Sequence, residues 1–454
     1  MNLLEELLAV APGTVPFHPE LHERYRTDRS HWGHDPGAPL AIARPTSTEE
    51  VQALAAWAKR RRVALVPRGA GTGVAGGANA LAGSVVVSFE RMDRIIAVDA
   101  SAMTAVVQPG VLNVEVKKAA AEMGLWYPPD PSSFEISTIG GNVATNAGGL
   151  CCVRYGVTGR YVLGLQVVLA GGSLLVTGGS TRTNVAGYDL TSLLVGSEGT
   201  LGLITEITLA LRRPPPPSTT LVATFGSLDS AGEATAAIMR VADPSMLELM
   251  DRAALRAVEA YRPQDLDTMA EAMLIVETDA AAAGDIAKVR ESLEAAGASL
   301  VVVSEDEVEA QSLRAARRLA YPALEQRGQV LIDDVAVPLP QLSEMLRRIQ
   351  QVAARFDIEI ANVAHAGAGN LHPLVVFDPS DAQAARRAHA AIDAIMIEAN
   401  ALGGTITGEH GVGTHKREGL QRQLGPVSMA LHREVKRAFD PDGILNPGKV
   451  VRAE

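Results

Sequence analysis

The fold class of this chain depends on a glycine-rich loop, residues 67–79, which reads PRGAGTGVAGGAN. The loop contains the spacing Gly71-x-Gly73-x-x-Gly76, which formally matches the dinucleotide-binding fingerprint. That fingerprint requires a helix directly after the glycines and a crossover of a dozen or more residues. Here GGANALAGS follows without an apolar helical stripe, and the strand-like run SVVVSF begins at Ser84. The sequence therefore predicts a loop between β-segments, whose bare amides can bind a pyrophosphate.

Two more loops of similar composition follow along the chain. Residues 137–149 read STIGGNVATNAGG, and residues 194–205 read LVGSEGTLGLIT. A plain glycine-rich turn is the alternative for any one of them. Three such loops in one β-rich region predict a backbone that packs closely around one large phosphorylated cofactor.

Composition limits the class of protein. The chain has 454 residues and is 47% hydrophobic, which predicts two domains with real cores. Its formal charge is −11, and the short run Lys59–Arg62 is the only cluster of positive charge, so we expect no nucleic-acid partner. Two cysteines, Cys151 and Cys152, exclude a disulfide framework and a Cys-ligated iron–sulfur cluster.

Targeting signals are not evident. The start MNLLEELLAV is acidic and lacks the positive region of a signal peptide. The uncharged stretch Tyr161–Thr181 reads as two strands joined by a Gly-Gly turn, in preference to a membrane span. We therefore expect a cytoplasmic protein, located peripherally at the inner membrane if a partner brings it there.

The pattern of elements changes at Pro214–Pro217, a run that fits neither a helix nor a sheet ladder. Before it, residues 84–211 are mainly short β-rich runs, and Thr48 is the predicted N-cap of a helix. After it, strands alternate with helices near 229–242 and 280–297 in a β-α-β-β-α-β order. This order is typical of an antiparallel sheet with helices on one face.

Histidines and a carboxylate recur near the end of the chain. The segment NVAHAGAGNLH, residues 362–372, places His365 and His372 on two strand-like pieces joined by a glycine turn. Glu409 and His410 follow in the segment GEHG. Two imidazoles and one carboxylate suit Zn, Mn or Fe. Histidines that only form hydrogen bonds are an equal alternative on spacing alone.

The ordered motifs resemble the FAD-binding domain of the vanillyl-alcohol oxidase type. They are PRGAGTGVAGGAN, PPDPSS, STIGGNVATNAGG, GSEGTLGLITE, GEHGVGTHKRE and FDPDGILNPGK. Within that group the chain is similar to the glycolate oxidase D subunit and to D-lactate and D-2-hydroxyglutarate dehydrogenases. The resemblance implies an α+β fold with three parts: a two-part FAD-binding domain (PCMH type) at 1–215, a substrate- and metal-binding cap with a ferredoxin-like antiparallel sheet at 216–436, and a C-terminal segment, 437–454, that returns to the FAD domain.

The resemblance also implies the residues that contact FAD. The attachment is expected to be non-covalent, because loop 67–79 has no histidine and Cys151 and Cys152 read better as small apolar residues. The implied FAD contacts are Pro67, Arg68, Gly69, Ala70, Gly71, Thr72, Gly73, Gly76, Pro129, Asp130, Pro131, Thr138, Gly140, Gly141, Asn142, Asn146, Gly148, Gly149, Tyr155, Glu198, Gly202, Ile204 and Asn446.

The catalytic groups follow from the same resemblance. His365, His372 and Glu409 match the ligands of a divalent metal, with Zn favoured over Mn or Fe, and His410 matches the catalytic base. Arg317 matches the arginine that binds the substrate carboxylate, with Arg314 and Arg318 as rivals. Tyr321, His365 and Lys416 are further candidates for substrate contact, and a surface position is the alternative for Lys416.

Three departures from the family pattern bear on the substrate. Ala368 stands where the family has Asp in HAGDGN, which predicts a weaker or altered metal site. Ile332 and Leu374 replace a Lys and an Asn of the 2-hydroxyglutarate branch, which removes polar partners for a second carboxylate. A small 2-hydroxy acid, glycolate or D-lactate, is therefore favoured over a diacid.

The predicted activity is a dehydrogenase that passes a hydride from the substrate to flavin N5. A neutral histidine can take the hydroxyl proton, and a metal can lower the pKa of the alcohol. The alternatives are a D-2-hydroxyglutarate-type enzyme, a metallohydrolase and a silent FAD-binding subunit. Because the chain cannot ligate its own cluster, its electrons are expected to pass to an iron–sulfur subunit, a quinone or a cytochrome. The sequence gives no information about the oligomeric state.

Overall fold

The chain divides into two compact units. The computed structural model describes residues 2–30, 36–279, 283–304 and 306–452. The first unit comprises Met1–Gly148, Val157–Pro214 and Glu409–Glu454, and the second comprises Gly149–Gly156 and Pro215–Gly408. The predicted division into parts at 1–215, 216–436 and 437–454 stays a prediction.

The first unit contains two sheets within the described residues. The strands of the first sheet are β1 (Val15–Pro16), β2 (Ala41–Ala43), β3 (Leu65–Arg68) and β4 (Val85–Ser88), in the order β1-β2-β4-β3. Those of the second are β5 (Ile95–Asp99), β6 (Thr104–Val107), β7 (Val162–Val168), β8 (Leu174–Gly178) and β9 (Leu203–Ala210), in the order β5-β6-β9-β7-β8. Pairs β2–β4 and β3–β4 are parallel, and the second sheet is antiparallel.

Short helices lie between these strands. They are α1 (Leu3–Val10), α2 (Pro19–His22), α3 (Thr48–Arg61), α4 (Asn113–Glu122), α5 (Ile139–Thr145) and α7 (Leu190–Leu194), while α6 (Cys152–Tyr155) belongs to the second unit. Helix α3 buries one apolar stripe in the core that also contains β2 to β4. The predicted N-cap at Thr48 is wrong by one residue. Ser47 has extended backbone and accepts a hydrogen bond from the amide of Glu50 at 3.3 Å, so Thr48 is already helical.

Two predictions about loops of this unit are confirmed. The glycine loop after β3 leads to β4 without an intervening helix, so the fingerprint spacing does not mark a Rossmann unit. The uncharged stretch 161–181 contains β7 and β8 as an antiparallel pair, with Gly172 at φ +84 in the turn. Across the part of the chain that the structure describes, no helix combines the length and the apolarity that a membrane crossing requires.

The second unit is built on one antiparallel sheet. Its strands are β10 (Ser218–Phe225), β11 (Met246–Asp251), β12 (Ala272–Asp279), β13 (Ala298–Ser304), β14 (Gln329–Ile332), β15 (Val335–Ala336), β16 (Glu359–His365) and β17 (Asn370–Phe377). The order is β13-β10-β12-β11-β16-β17-β14, and β15 also pairs with β17. The first four positions have the order of a ferredoxin-like sheet, which confirms the predicted fold class of the cap.

The helices of the second unit include two that the sequence predicted and one that it did not. They are α8 (Leu228–Val241), α9 (Arg252–Tyr261), α10 (Ala283–Ala295), α11 (Glu307–Arg318), α12 (Ala320–Glu325), α13 (Leu342–Phe356) and α14 (Ala382–Ala401). Helices α8 and α10 confirm the helices predicted near 229–242 and 280–297, of which residues 280–282 lie outside the described residues. Helix α9 was not predicted. It begins directly after β11 because Asp251 accepts a hydrogen bond from the amide of Ala254 at 2.9 Å.

Helices cover both faces of this sheet, whereas the sequence pattern predicted one. Met246 and Met250 of β11 lie in the same apolar cluster as Leu255 of α9. Successive strand residues point to opposite faces, so Leu247 points the other way. A Cβ on Gly367 would lie 3.1 Å from Leu247 and 3.3 Å from the sulfur of Met239 in α8. The β11 residues are therefore buried on both sides.

Helix α15 (Arg417–Phe439) belongs to the first unit. It is kinked at Gly425, which has non-helical backbone and precedes Pro426. Near its end, the buried Lys436 ammonium donates to the carbonyl oxygens of Thr200 and Leu445 and to the carboxylate of Asp440. These bonds fix the helix to the first unit.

Replacing Lys436 by Met should destabilise the first unit by about 3–5 kcal/mol, because Asp440 would remain buried without its cation. The control is Arg437→Met, which removes an exposed pair with Glu434 on the same helix and should cost less than about 1 kcal/mol. Urea unfolding followed by circular dichroism measures both. Equal midpoint shifts for the two variants would contradict the assignment.

Candidate FAD-binding loops and histidine site

The three glycine loops of the first unit contact one another. A Cβ added to Gly69 in the first loop would collide with Oγ1 of Thr138 in the second, and one on Gly199 in the third would collide with Pro67. The amide of Glu198 donates to the carbonyl of Ala144 at 2.8 Å. Glycine is required where backbone approaches this closely. The structure thus brings together the segments that the sequence predicts to surround one cofactor.

Helix α5 orders the second loop. Thr138 is its N-cap and accepts a hydrogen bond from the amide of Gly141 at 3.2 Å. The buried Asn113 donates to Asn142 Oδ1 at 3.0 Å and to the carbonyl of Pro129 at 3.3 Å. Asn113 therefore links the segment around Pro129 to the second loop. Sequence reasoning missed it, because an Asn at the start of an amphipathic helix reads as a solvated residue.

Arg68 has a role that its motif did not reveal. Its guanidinium is buried and donates to the carbonyl oxygens of Thr27 at 2.8 Å and Arg24 at 2.5 Å. The Arg68 side chain therefore holds the N-terminal segment that contains Arg24 and Thr27 against the first glycine loop. A contact of Arg68 with FAD would involve its backbone.

Glu198 and Asn446 join the loops to the C-terminal segment. The buried Glu198 carboxylate accepts from the amides of Val412 at 2.6 Å and Gly413 at 2.8 Å. Asn446 Nδ2 donates to the carbonyl oxygens of Gly77 at 2.9 Å and Glu198 at 2.8 Å. Burial raises the pKa of Glu198 to about 7, while the hydrogen bonds from the two backbone amides oppose that rise.

The remaining predicted FAD contacts divide between the two units. Gly149 and Tyr155 belong to the second unit, and the others belong to the first. Ile204 lies on β9 opposite Val167. Two buried amide oxygens of the first unit, Asn113 Oδ1 and Asn446 Oδ1, have no hydrogen-bond donor among the described residues. Such acceptors fit a ligand with several hydroxyl and amino groups, as FAD has.

The histidine pair of the second unit lies on the β16–β17 hairpin. His365 ends β16 and His372 is the third residue of β17, with a 3-10 turn at Ala366–Ala368 between the strands. The ring centroids are 5.0 Å apart, and both side chains are buried. The predicted hairpin and the convergence of the two imidazoles are therefore present within this unit.

Two buried carboxylates accompany the histidines. His365 Nδ1 is 2.7 Å from Glu248 Oε1, and His372 Nδ1 is 3.9 Å from Asp334 Oδ1. Asp334 Oδ2 also accepts from Thr407 Oγ1 at 2.7 Å and from the amide of Gly408 at 2.8 Å. A carboxylate behind a metal-binding histidine fixes the ring and its tautomer. The donor set of this unit thus fits a divalent metal.

Sequence reasoning missed both carboxylates. Glu248 lies in MLELMD, where one polar residue in an apolar strand reads as pointing outward, although every residue of β11 is buried. Asp334 lies in VLIDDVAVP, between β14 and β15. The sequence feature that could have revealed each carboxylate is an acidic residue within a run of apolar residues suited to a strand buried on both faces.

Glu409 and His410 follow Gly408 directly in the chain and belong to the first unit. A Cβ on Gly148 would collide with the Glu409 carboxylate, so Glu409 lies against the second glycine loop. His410 Nε2 is 3.7 Å from Glu409 Oε1. The predicted ligand and the predicted base are thus neighbours within the first unit.

Two of the three arginine candidates of α11 contact different carboxylates. Arg317 is buried, and its Nε is 2.9 Å from Glu248 Oε2. Arg314 Nη1 binds Glu277 at 2.5 Å. Tyr321 lies on the separate helix α12 and packs partly against the apolar cluster of α9.

Lys416 is buried in the first unit, so the alternative of a solvated surface lysine is wrong. It is the residue before α15. Cys151 and Cys152 are half-buried and are not joined in a disulfide.

Comparison with known proteins defines the class of protein to which this chain belongs. Residues 39–178 match the family described as "FAD binding domain", and residues 214–450 match "FAD linked oxidases, C-terminal domain". The solved structure of p-cresol methylhydroxylase with bound substrate aligns with a TM-score of 0.83 at 17% identity, over 99% of this chain and 96% of the other. That likeness shows the fold, which is the vanillyl-alcohol oxidase type.

Relatives of higher identity identify the family. The glycolate oxidase subunit GlcD of Bacillus subtilis strain 168 is 40% identical, over 91% of this chain and 89% of that protein. GlcD of Escherichia coli K12 is 37% identical over 98% and 88%, and a D-lactate dehydrogenase of Anaerostipes hadrus is 33% identical over 99% and 97%. The chain belongs to the FAD-linked oxidase family and is a flavin-dependent oxidoreductase.

The raised pKa of Glu198 predicts a pH dependence of stability. In the folded protein the pKa of this carboxyl is about 7, so the group keeps its proton up to about that pH, whereas the unfolded chain releases the proton near the ordinary pKa of 4.5. Its contribution to stability is therefore fully present below pH 4.5 and is lost as the pH rises through 7.

Comparing the wild type with Glu198→Gln isolates this effect, since other groups titrate in both proteins. The free energy of unfolding of the wild type, relative to the variant, should fall by about 3 kcal/mol between pH 4.5 and 8. The variant also loses a hydrogen bond from a backbone amide, which changes the free energy of unfolding by an amount that does not vary with pH. A difference that does not vary with pH would refute the buried, protonated state.

Proposed function

We propose that this protein is an FAD- and divalent-metal-dependent dehydrogenase that oxidises a small 2-hydroxy acid, glycolate or D-lactate, to the 2-oxo acid. The observation that carries the proposal is the buried pair His365 and His372, each near its own carboxylate. The similarity to GlcD and D-lactate dehydrogenase supports the substrate class.

When bound, FAD would supply the hydride acceptor, its N5 atom. The residues of this chain would hold the reactants and move the proton. His410 is the proposed base for the hydroxyl proton, a step for which a neutral imidazole is suited. The buried Arg317 guanidinium is proposed to bind the substrate carboxylate, because its Nε lies 2.9 Å from Glu248 Oε2 and a guanidinium carries five N–H donors.

The metal would be held by His365, His372 and Glu409, with Zn favoured. When bound, it supplies charge that lowers the pKa of the substrate hydroxyl. Support for Glu409 comes from its position in the sequence, directly after Gly408, whose amide donates to Asp334 Oδ2 at 2.8 Å.

The choice of a monoacid rests on an apolar pair in the sheet. Ile332 of β14 and Leu374 of β17 are directly opposite in the register. Leu374 is two residues from His372 and so shares its face of the sheet. Neither side chain offers a hydrogen bond to a second carboxylate, so a diacid would lose its hydration there without compensation.

The electron acceptor is proposed to be a separate iron–sulfur subunit, with a quinone or a cytochrome as the alternatives. Two relatives are named as subunits of a glycolate oxidase, and this chain has only two cysteines. We also propose a cytoplasmic location, peripheral at the inner membrane through that subunit. Full-rate reduction of quinone or oxygen by the isolated chain would contradict the need for a partner.

Anaerobic absorbance spectra of the purified protein test the proposed activity. Glycolate or D-lactate should bleach the flavin bands, and D-2-hydroxyglutarate should do so at least 10-fold more slowly. Bleaching by the diacid alone would move the assignment to the D-2-hydroxyglutarate branch. Absence of a flavin spectrum after reconstitution with FAD would refute the proposal, and bound flavin that no hydroxy acid bleaches would favour a silent subunit.

Replacing His410 by Ala should strongly slow flavin reduction while FAD stays bound, because the hydroxyl proton would lack an acceptor. General-base catalysis typically contributes 10²–10⁴-fold, so the rate should fall by about that factor. Stopped-flow absorbance measures it, with His432→Ala, an exposed histidine of α15, as the control. A reduction rate within a few-fold of the wild type would exclude His410 as the base.

A further inference from the structure

Glu248 is a carboxylate placed inside an apolar sheet. It lies between Met246 and Met250 on one face of β11 and is completely buried. Burying an ionised carboxylate without partners costs several kcal/mol, so its contacts must compensate. Those contacts are two residues that the proposed function uses, His365 and Arg317.

The sheet register fixes the first contact. Strands β11 and β16 pair Met250 with Val363 and Leu249 with Ala364. Continuing this antiparallel register by one residue places Glu248 opposite His365, and Oε1 indeed lies 2.7 Å from Nδ1. An acceptor at Nδ1 selects the tautomer with its proton on Nδ1, which leaves the lone pair on Nε2.

The second contact comes from α11. Arg317 Nε lies 2.9 Å from Oε2, the other oxygen of the same carboxylate. A guanidinium carries five N–H donors, more than one carboxylate oxygen can accept, so the group retains donors for a second anion. One carboxylate thus holds an imidazole and a guanidinium in fixed positions.

The chain contains a matched pair without the histidine. One turn earlier on α11, Arg314 binds the buried Glu277 of β12 at 2.5 Å. Both pairs therefore join α11 to the sheet, and loss of either would weaken that packing. Only the Glu248 pair also touches His365, among the contacts that the structure describes.

We propose that Glu248 is a positioning residue that sets the Nδ1–H tautomer of His365 and the placement of Arg317 with one carboxylate. The inference rests on the proposed function for what these side chains bind, namely a divalent metal at His365 Nε2 and a substrate carboxylate at Arg317. The tautomer itself is independent of that function.

The first experiment uses the FAD-bound protein with ¹⁵N-labelled histidine, after chelation of any metal. Long-range ¹H–¹⁵N spectra distinguish the two tautomers, and His365→Gln assigns the signal. The wild type should show Nδ1–H and an unprotonated Nε2, and Glu248→Gln should show a mixture. A wild-type His365 with its proton on Nε2 overturns the proposal, even if the variant fails to fold.

The second experiment measures function in three variants: Glu248→Gln, Glu248→Asp and the control Glu277→Gln. Glu248→Gln should weaken Zn²⁺ binding, measured by calorimetry, 10- to 100-fold and should raise KM for the 2-hydroxy acid more than it lowers kcat. Glu248→Asp should recover part of both. Glu277→Gln should leave Zn²⁺ affinity and KM within about 2-fold. Equal effects of the two Gln variants would make Glu248 merely structural.

The two experiments separate this inference from the proposed function. If the wild type shows the Nδ1–H tautomer and Glu248→Gln loses it, while no 2-hydroxy acid bleaches the flavin, the positioning role stands and the proposed activity fails. If substrates bleach the flavin and the tautomer is unchanged in Glu248→Gln, the activity stands and the positioning role fails.

Discussion

The cost of burying charge determines how the second unit is built. Glu248, Asp334 and Glu277 are buried carboxylates, and each must be met by donors that the fold places within reach. The donors come from helix α11, from the β16–β17 hairpin, and from Thr407 and Gly408. Because an unpaired buried charge would be far more costly than a lost contact, these pairings fix the position of the helix relative to the sheet.

The first unit follows the same rule with its C-terminal segment. Lys449 Nζ is buried and donates to the carbonyl of Asn79 at 2.9 Å, and burial lowers its pKa to about 8. Lys436 and Glu198 form comparable buried bonds between distant parts of the chain. The segment after Glu409 is therefore fixed by polar contacts as well as by apolar packing. The sequence predicted that FDPDGILNPGKV is rich in turns and returns to the FAD domain, but it did not reveal these polar contacts.

Sequence reasoning succeeded where local pattern and tertiary burial agree. The β7–β8 hairpin, helices α8 and α10 and the two histidine strands all follow from periodicity and turn residues. Helix α9 was missed because RAALRAVEAY directly follows a strand, with an N-cap, Asp251, that is also the last strand residue. Ser47 and Thr48 are both good caps, and only backbone geometry separates them.

Side-chain direction was the harder problem. Arg68 sits in a motif that suggests ligand contact, yet its guanidinium binds two carbonyls of the N-terminal segment. Glu248 sits in a strand that suggests packing, yet it contacts two candidate site residues. In both cases the partners are distant along the chain, so spacing carries no information about them. A motif thus locates backbone more reliably than it assigns the atoms of a side chain.

The same geometry bears on Ala368, which replaces the Asp of the family motif. A weaker metal site was expected because a carboxylate is lost from the hairpin turn. In this chain Glu248 lies 2.7 Å from Nδ1 of His365, and Asp334 lies 3.9 Å from Nδ1 of His372. His365 therefore has a carboxylate partner that does not come from the turn. Since a hydrogen bond at Nδ1 orients the ring, the orientation of His365 does not depend on residue 368, and the weaker metal site expected from Ala368 stays a prediction.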